Sequence, residues 1–491
     1  MFLRPCHFIL CLLLTATAAA IAQPGTRDAA TDEGDAQWMA VFLDGQRAGH
    51  MRSSRQEFSD RVESSEEFLL RINRSGITIE MLTEERYIES PTGEPLGFFS
   101  RQQVSGGEMT VQGEIRDGKA YVTTVSAGTV QEQTFDWPEG AVMAEGARLA
   151  GLAAGLEPGA EFKTTTFVPS ALDFYPITTR VIGEERVDLL GTDQDLYRME
   201  ETTLLGNTAN TLTGWLDEDY ELKKARMSIM GLTVEAIACP EACATGNVEP
   251  ADIFVQALVE SPSALPGRRR EDALTYYFQA RGDGDVPLYF AQSREQTVEP
   301  LEDGTYQVTV RPEPGAAAPL ASPTQDFFDA SRWLQIEAPE IHDLVRKARG
   351  DAVRPADQMR RFEAFVKDYV SDKNLSVGYA SALEVARNRS GDCTEHALLL
   401  AAMGRAAGIP TRVATGLAYV DNWLGNQHVF VPHAWTQAWL GGRWVSFDAA
   451  LGGFDAGHIA LAYGNGDPAS FYDGISTLGN LTLESVEAAA P

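Results

Sequence analysis

The chain changes its hydrophobic rhythm twice. From Trp38 to about Val248, apolar and polar residues alternate in runs such as "WMAVFLDGQRAG", "EMTVQGEIRDGKAYVTTV" and "GWLDEDYELKKARMSIMGLTVEAI", punctuated by turn-forming residues. Period-two alternation of this kind predicts antiparallel strands, and its length predicts one large β-rich accessory domain over 38–248. The segment "AVMAEGARLAGLAAGL" breaks the alternation and predicts a helical insert. A shorter strand-like stretch, 252–311, ends in "DGTYQVTVRP" and reads as a small β module. "RPEPGAAAPLASPT" is rich in Pro and Ala, which predicts a linker at 312–324.

After residue 325 the period becomes helical. "PADQMRRFEAFVKDYVSD" starts with Pro355 at a first-turn position and sets Met359, Phe362, Val366 and Tyr369 on one face. A second apolar helix runs through "CTEHALLLAAMGRAAGIP" and is stopped by Gly408 and Pro410. The strands "TRVATGLAYV", "HAWTQAWL" and "RWVSFDAA" follow. Helices succeeded by strands describe an α+β domain at 325–491. The expected fold class is thus multidomain: antiparallel β-rich domains first, an α+β domain last.

The N-terminus "MFLRPCHFILCLLLTATAAAIAQPG" fits neither pattern. Its apolar run from Phe8 to Ala22 is 15 residues long and ends in a small-x-small site. That is short of the roughly 20 residues needed to cross a bilayer, so residues 1–22 read as a cleaved signal peptide. Residues 23–37 read as a flexible lead-in. The expectation is an exported protein, periplasmic or secreted, with no membrane span after cleavage. Charge adds an exclusion. With 70 acidic against 40 basic side chains the net charge is −30, which repels nucleic acid and anionic lipid alike.

Of five cysteines, three lie beyond the leader: Cys239, Cys243 and Cys393. In an oxidising compartment the close pair in "ACPEACATG" is a candidate structural disulfide, which leaves Cys393 as the odd thiol. Cys393 sits at the polar edge of its helix. Asp392 is a good N-cap, and Glu395 three positions on completes a capping-box pattern. At a helix start the macrodipole and unpaired N–H groups favour a thiolate, drawing a cysteine pKa from about 8.5 towards roughly 3.5–7.5. Glu395 partly opposes that effect. Cys393 and His396 form a C-x-x-H pair, but no second pair of this spacing exists, so no metal is expected.

A nucleophilic thiol needs a base, and the base needs an orienting group. "HAWTQAWLGGRWVSFDAA" supplies both if it is a hairpin turning at Gly441-Gly442. Leu440 then opposes Arg443, and Asp448 opposes Trp435. His433 and Asp448 share a face as diagonal neighbours, about 7–8 Å apart at the backbone. A one-residue slip would separate them. The same register stacks Trp439 on Trp444 with Trp435 beside them as a cleft wall. His428 and His458 read as surface or loop residues, with a place lining the cleft as the alternative.

The blocks "GDCTEHALLLAAMGRAAGIPTRVATGLAY" and "HAWTQAWLGGRWVSFDAA" resemble the bacterial transglutaminase-like cysteine superfamily, a papain-like fold class. The resemblance covers about 325–480. It implies Cys393 as nucleophile, His433 as general base and acid, and Asp448 as the orienting carboxylate. The family often has Asp-Pro-Thr where this chain has Asp448-Ala449-Ala450, which alters the strand exit but keeps the carboxylate. The expected activity is acyl transfer through a thioester at amide bonds of peptides or proteins, cell-wall peptides included. Water as acceptor gives a peptidase or amidase, the first choice; an amine gives a crosslinking transglutaminase. An idle catalytic fold serving as an exported binding or assembly factor is the rival from another class. No cofactor is expected.

Overall fold

Alternation along residues 37–238 is realised as fifteen strands of one sheet. The computed structural model describes residues 36–489 apart from 75–76, 105–106, 127, 206–207, 230, 249–256, 282–287, 314–321, 374–378, 468–473 and 475–476. The leader at 1–22, the lead-in up to residue 35 and most of the linker at 312–324 lie outside the described residues. The chain divides near residue 251 into two compact units.

In the first unit, strands run from β1 (Gln37–Leu43) outward to β8 (Thr129–Asp136). After helix α1 (Ala144–Ala154) they return from β9 (Ala141–Val142), the strand just before it, to β15 (Leu232–Ala238). The return closes on the start, because β15 pairs antiparallel with β1, Met39 opposite Ala238. Strand faces follow the sequence period: Met109 and Val111 are buried while their neighbours are not. Helix α1 falls where the alternation breaks, and Glu89 accepts from the backbone N–H groups of Glu145 and Gly146 at its first turn. After β15 a short helix, α2 (Glu241–Ala244), carries the bridge between Cys239 and Cys243, with Cα atoms 5.9 Å apart.

The second unit builds two sheets and a helical layer. β16 (Val259–Glu260), helix α3 (Gly267–Glu271), β17 (Leu274–Ala280), β18 (Gln296–Pro300) and β19 (Tyr306–Val310) come first. Helices α4 (Pro339–Arg349), α5 (Pro355–Tyr369), α6 (Ala382–Asn388) and α7 (Cys393–Ala406) follow. Strands β20 (Thr411–Trp423), β21 (Asn426–Leu440), β22 (Arg443–Phe447), β23 (His458–Gly464) and β24 (Leu481–Ala488) complete it. One sheet runs β16-β21-β20-β23 with β22 added beside β21; the other runs β18-β19-β17-β24.

The stretch expected as a separate module at 252–311 does not close on itself. Its β17 edge is completed by β24, with Tyr276 opposite Val486, and its β16 joins β21. An open edge on β17 would leave a row of unpaired N–H and C=O groups, and a distant strand satisfies them.

Helix α7 lies at the centre of the helical layer and is buried on nearly every face, as expected of a helix apolar all round. Leu398, Leu399, Leu400 and Met403 join Ile341, Phe362 and Val385 from the other helices and Val413, Ala434 and Ala438 from the sheet. Each buried Leu contributes roughly 1.5–3 kcal/mol. Of the α5 face read from sequence, Met359, Phe362 and Val366 are fully buried, and Tyr369 donates to the Ala386 carbonyl at 2.6 Å. No helix among the described residues is long and apolar enough to cross a membrane.

Burial in the first unit sets a pH dependence. Glu201 on the sheet is 7 % exposed, its Oε2 has no hydrogen-bond partner, and burial pushes its carboxyl from the ordinary 4.5 up to about 8. Between those values the unfolded chain ionises while the folded one holds its proton, so stability falls as pH rises. Glu201→Gln is expected to flatten that fall between pH 4.5 and 8, checked by urea midpoints across the range. An unchanged slope would count against it.

Candidate functional site

Cys393 opens α7 with both members of its capping box in place. Asp392 Oδ1 accepts from Thr394 N at 2.8 Å, and Glu395 Oε2 accepts from Asp392 N at 2.8 Å. Gly391 is required just before, since a Cβ there would lie 2.3 Å from the Glu395 Cβ. Cys393 is outside any disulfide and half-buried. Glu395, fully buried, also accepts from Ala380 N at 2.8 Å. Burial first, then the neighbouring Asp392 charge, push its carboxyl well above the usual range. That direction weakens the like charge that the sequence places beside the sulfur. His396 Nδ1 donates to the Asp392 carbonyl, and its buried Nε2 has no hydrogen-bond partner among the described residues.

The hairpin turns at Gly441-Gly442 in the expected register, Leu440 opposite Arg443 and Trp439 opposite Trp444. β22 ends at Phe447, so Asp448 begins the turn beyond it. Asp448 is 1 % exposed, and its Oδ2 accepts from His433 Nε2 at 2.9 Å. Oδ1 closes the turn by accepting from Ala450 N at 2.8 Å and Leu451 N at 3.2 Å. That is how Asp-Ala-Ala makes the strand exit without proline. Burial alone would raise this carboxyl, but the His433 charge and the bonds from His433 and His458 outweigh it and hold it far below the usual carboxylate range. Glu363 of α5 accepts the Asp448 N–H at 2.7 Å, and burial pushes that carboxyl up to about 7. It faces an open cleft of about 630 Å³ that Arg360, Arg443 and Phe454 also line.

Helix and hairpin meet on the other face of β21. Thr436 donates to the Ala397 carbonyl at 2.8 Å, one turn into α7. The Asp448 charge reaches His396 in that same first turn. The His433–Asp448 bond thus lies on one face of β21, while α7, which Cys393 opens, packs on the other through Ala434, Thr436 and Ala438.

Two expectations change. Trp435 stands beside the imidazoles, its ring 6.2 Å from His433 and 5.3 Å from His458. Trp439 and Trp444 pack on each other, with Phe327 and Arg412 around Trp444. They are not part of that wall, because six residues of strand separate Trp439 from His433 by about 20 Å. The second change is His458. Read as a surface or loop residue, it is 3 % exposed on β23, and its Nε2 donates to Asp448 Oδ2 at 3.0 Å. β20 separates β21 from β23, and no local signal announces that order. His428, half-buried, bonds Tyr419 through Nδ1 at 2.9 Å. The ligand atoms of His433, Asp448 and His458 all lie within 4.8 Å of one another, a set that could hold a metal ion. Their hydrogen bonds at 2.9 and 3.0 Å already satisfy both donors and the shared oxygen.

Gly416 makes the convergence possible. It opposes His433 on one side and Ala460 on the other, and a Cβ there would sit 2.0 Å from the Ile459 carbonyl oxygen. Gly416→Ala must push β23 away from β20, at a cost of about 1–3 kcal/mol or more. The expected result is a lower melting temperature; an unchanged one would mean the two strands can part without consequence.

Comparison with known proteins adds the family. Residues 342–449 match the model of the transglutaminase-like superfamily, a stretch containing Cys393, His433 and Asp448. No curated protein matches the chain. Among solved structures, a proposed cysteine protease from Cytophaga hutchinsonii is similar at 18% identity over 44% of this chain and 86% of its own, with a TM-score of 0.28. A β-barrel-like protein of a domain of unknown function from Brucella abortus is similar at 14% identity over 42% and 95%, with a TM-score of 0.34. A proposed protease from Parabacteroides distasonis is similar at 13% identity over 73% and 68%, with a TM-score of 0.20. The sequence that forms α4 to α7 and the β20–β22 hairpin system is thus a transglutaminase-like domain, preceded in this chain by a large β-rich unit.

Proposed function

We propose that the second unit is a thiol-dependent acyl-transfer enzyme that cleaves amide bonds of peptides or proteins. The observation that carries this reading is the buried His433–Asp448 bond, set on the strand against which the Cys393 helix packs. Asp448 engages Nε2, so Nδ1 is the imidazole nitrogen left to exchange a proton with the Cys393 sulfur. The thiolate attacks the amide carbonyl, His433 protonates the departing amine, and a thioester remains. Water, deprotonated by the same imidazole, then releases the acid and restores the thiol. The Cys393 backbone N–H at the helix start is a candidate oxyanion donor. Export, periplasmic or beyond, belongs to the same reading, supported by the N-terminal apolar run and the Cys239–Cys243 bridge.

The test is turnover of a fluorogenic peptide-amide library by the full chain. Cys393→Ala is expected to abolish it, and His433→Ala and Asp448→Asn to lower it by about 10²–10⁴-fold. Because Asp448 is held ionised far below the assay range, its titration should leave no limb in the rate profile near pH 4. Hydrolysis that survives Cys393→Ala would refute the assignment. Covalent uptake of a labelled primary amine into a glutamine-bearing protein, without released acid, would replace hydrolysis by crosslinking.

A further inference from the structure

Two imidazoles converge on a single carboxylate oxygen. A Cys-His-Asp set needs one, so the second asks for its own explanation. His458 is not a stray neighbour. Its Nδ1 lies 3.2 Å from both the backbone oxygen and Oδ1 of Asp455, and Arg270 holds Asp455 Oδ2 at 2.8 Å. Phe454 and Trp435 pack 5.0 and 5.3 Å from its ring. It also falls beyond the stretch matched by the family model, which ends at residue 449.

We propose that His458 is a positioning residue of the thiol site: by sharing Asp448 Oδ2 with His433, it fixes the carboxylate and weakens its hold on the His433 proton. The proposal rests on the thiol-enzyme reading above. An oxygen that accepts two N–H groups is a poorer acceptor for each. Oδ1 is occupied by Ala450 N and Leu451 N, so the carboxylate cannot rotate to give His433 a separate oxygen. Charge acts in the same direction. Facing His458 are Asp448 and Asp455, the His433 ring 5.7 Å away, Arg270 behind Asp455, and Glu363 on the far side of Asp448. Burial disfavours a charged His458, but the bonds to Asp448 and Asp455 outweigh it and raise its pKa. A proton gained by His458 disfavours a second one on His433, whose ring is 5.7 Å away.

The direct test is an NMR titration of the His433 ring in the Cys393→Ala chain, with and without His458→Gln or His458→Ala. The midpoint of His433 should rise by about half a pH unit or more with Gln, and further with Ala. Asp455→Asn leaves His458 in place and should give a smaller rise of the same sign. In the Cys393 chain, His458→Ala should lower kcat by up to about 100-fold with KM within about twofold, and His458→Gln should recover part of it. Unmoved His433 midpoints in all three variants, with melting curves intact, would make His458 core packing only. A stoichiometric metal on the purified chain that is lost with His458→Ala would also overturn the proposal, since the three side chains would then be ligands. If the peptide library shows no turnover while the His433 shift stands, the hydrolase reading fails and the positioning role survives.

Discussion

The second unit is organised around one buried negative charge. A carboxylate removed from water must find partners for both oxygens or lose its charge. Asp448 finds four: two imidazole N–H groups on Oδ2 and two backbone N–H groups on Oδ1. Each partner comes with a structural demand. The backbone pair requires the tight turn after β22, His433 requires the hairpin register, and His458 requires β23 to approach β20 at a glycine. The α5 carboxyl of Glu363 holds the Asp448 backbone in turn. The geometry of the site is therefore the set of conditions under which this charge stays buried.

How much of that was legible follows from the range of each signal. The cap at Cys393 is local: Asp392 and Glu395 lie within one helical turn, and their pattern sets where the helix begins. The His433–Asp448 bond is legible because a two-residue turn fixes the pairing of the strands it joins, so a long-range contact is encoded by a short one. His458 has no such handle. Its neighbour across the sheet is decided by the order of strands, which depends on how α7 and the hairpin fill the core. Trp439 and Trp444 show the opposite failure. Their mutual contact was correct, yet sharing a face with His433 does not put them near it on a strand this long.

Glu395 shows how environment can weaken a reading made from charge alone. As an ionised residue it would resist a thiolate one turn away. Sealed in the core beside Asp392 its carboxyl is pushed well above the usual range, and it serves as a cap. The first unit follows the same rule with Glu89, whose carboxyl is pushed up to about 7 by burial although it accepts the first N–H groups of α1. An acidic composition describes the surface; Glu395 and Glu89, sealed inside, cap helices through their hydrogen bonds.

The seam between β17 and β24 has a consequence for how the polypeptide is made. Leu274–Ala280 leaves the ribosome some 200 residues before Leu481–Ala488, its antiparallel partner. Until synthesis reaches that late segment, one border of the sheet stays unzipped. Contacts of such long sequence separation slow folding and leave the nascent chain open to wrong pairings. Completion of this sheet therefore waits for residues 481–488, and a chain cut short before residue 481 would leave the edge of β17 unpaired.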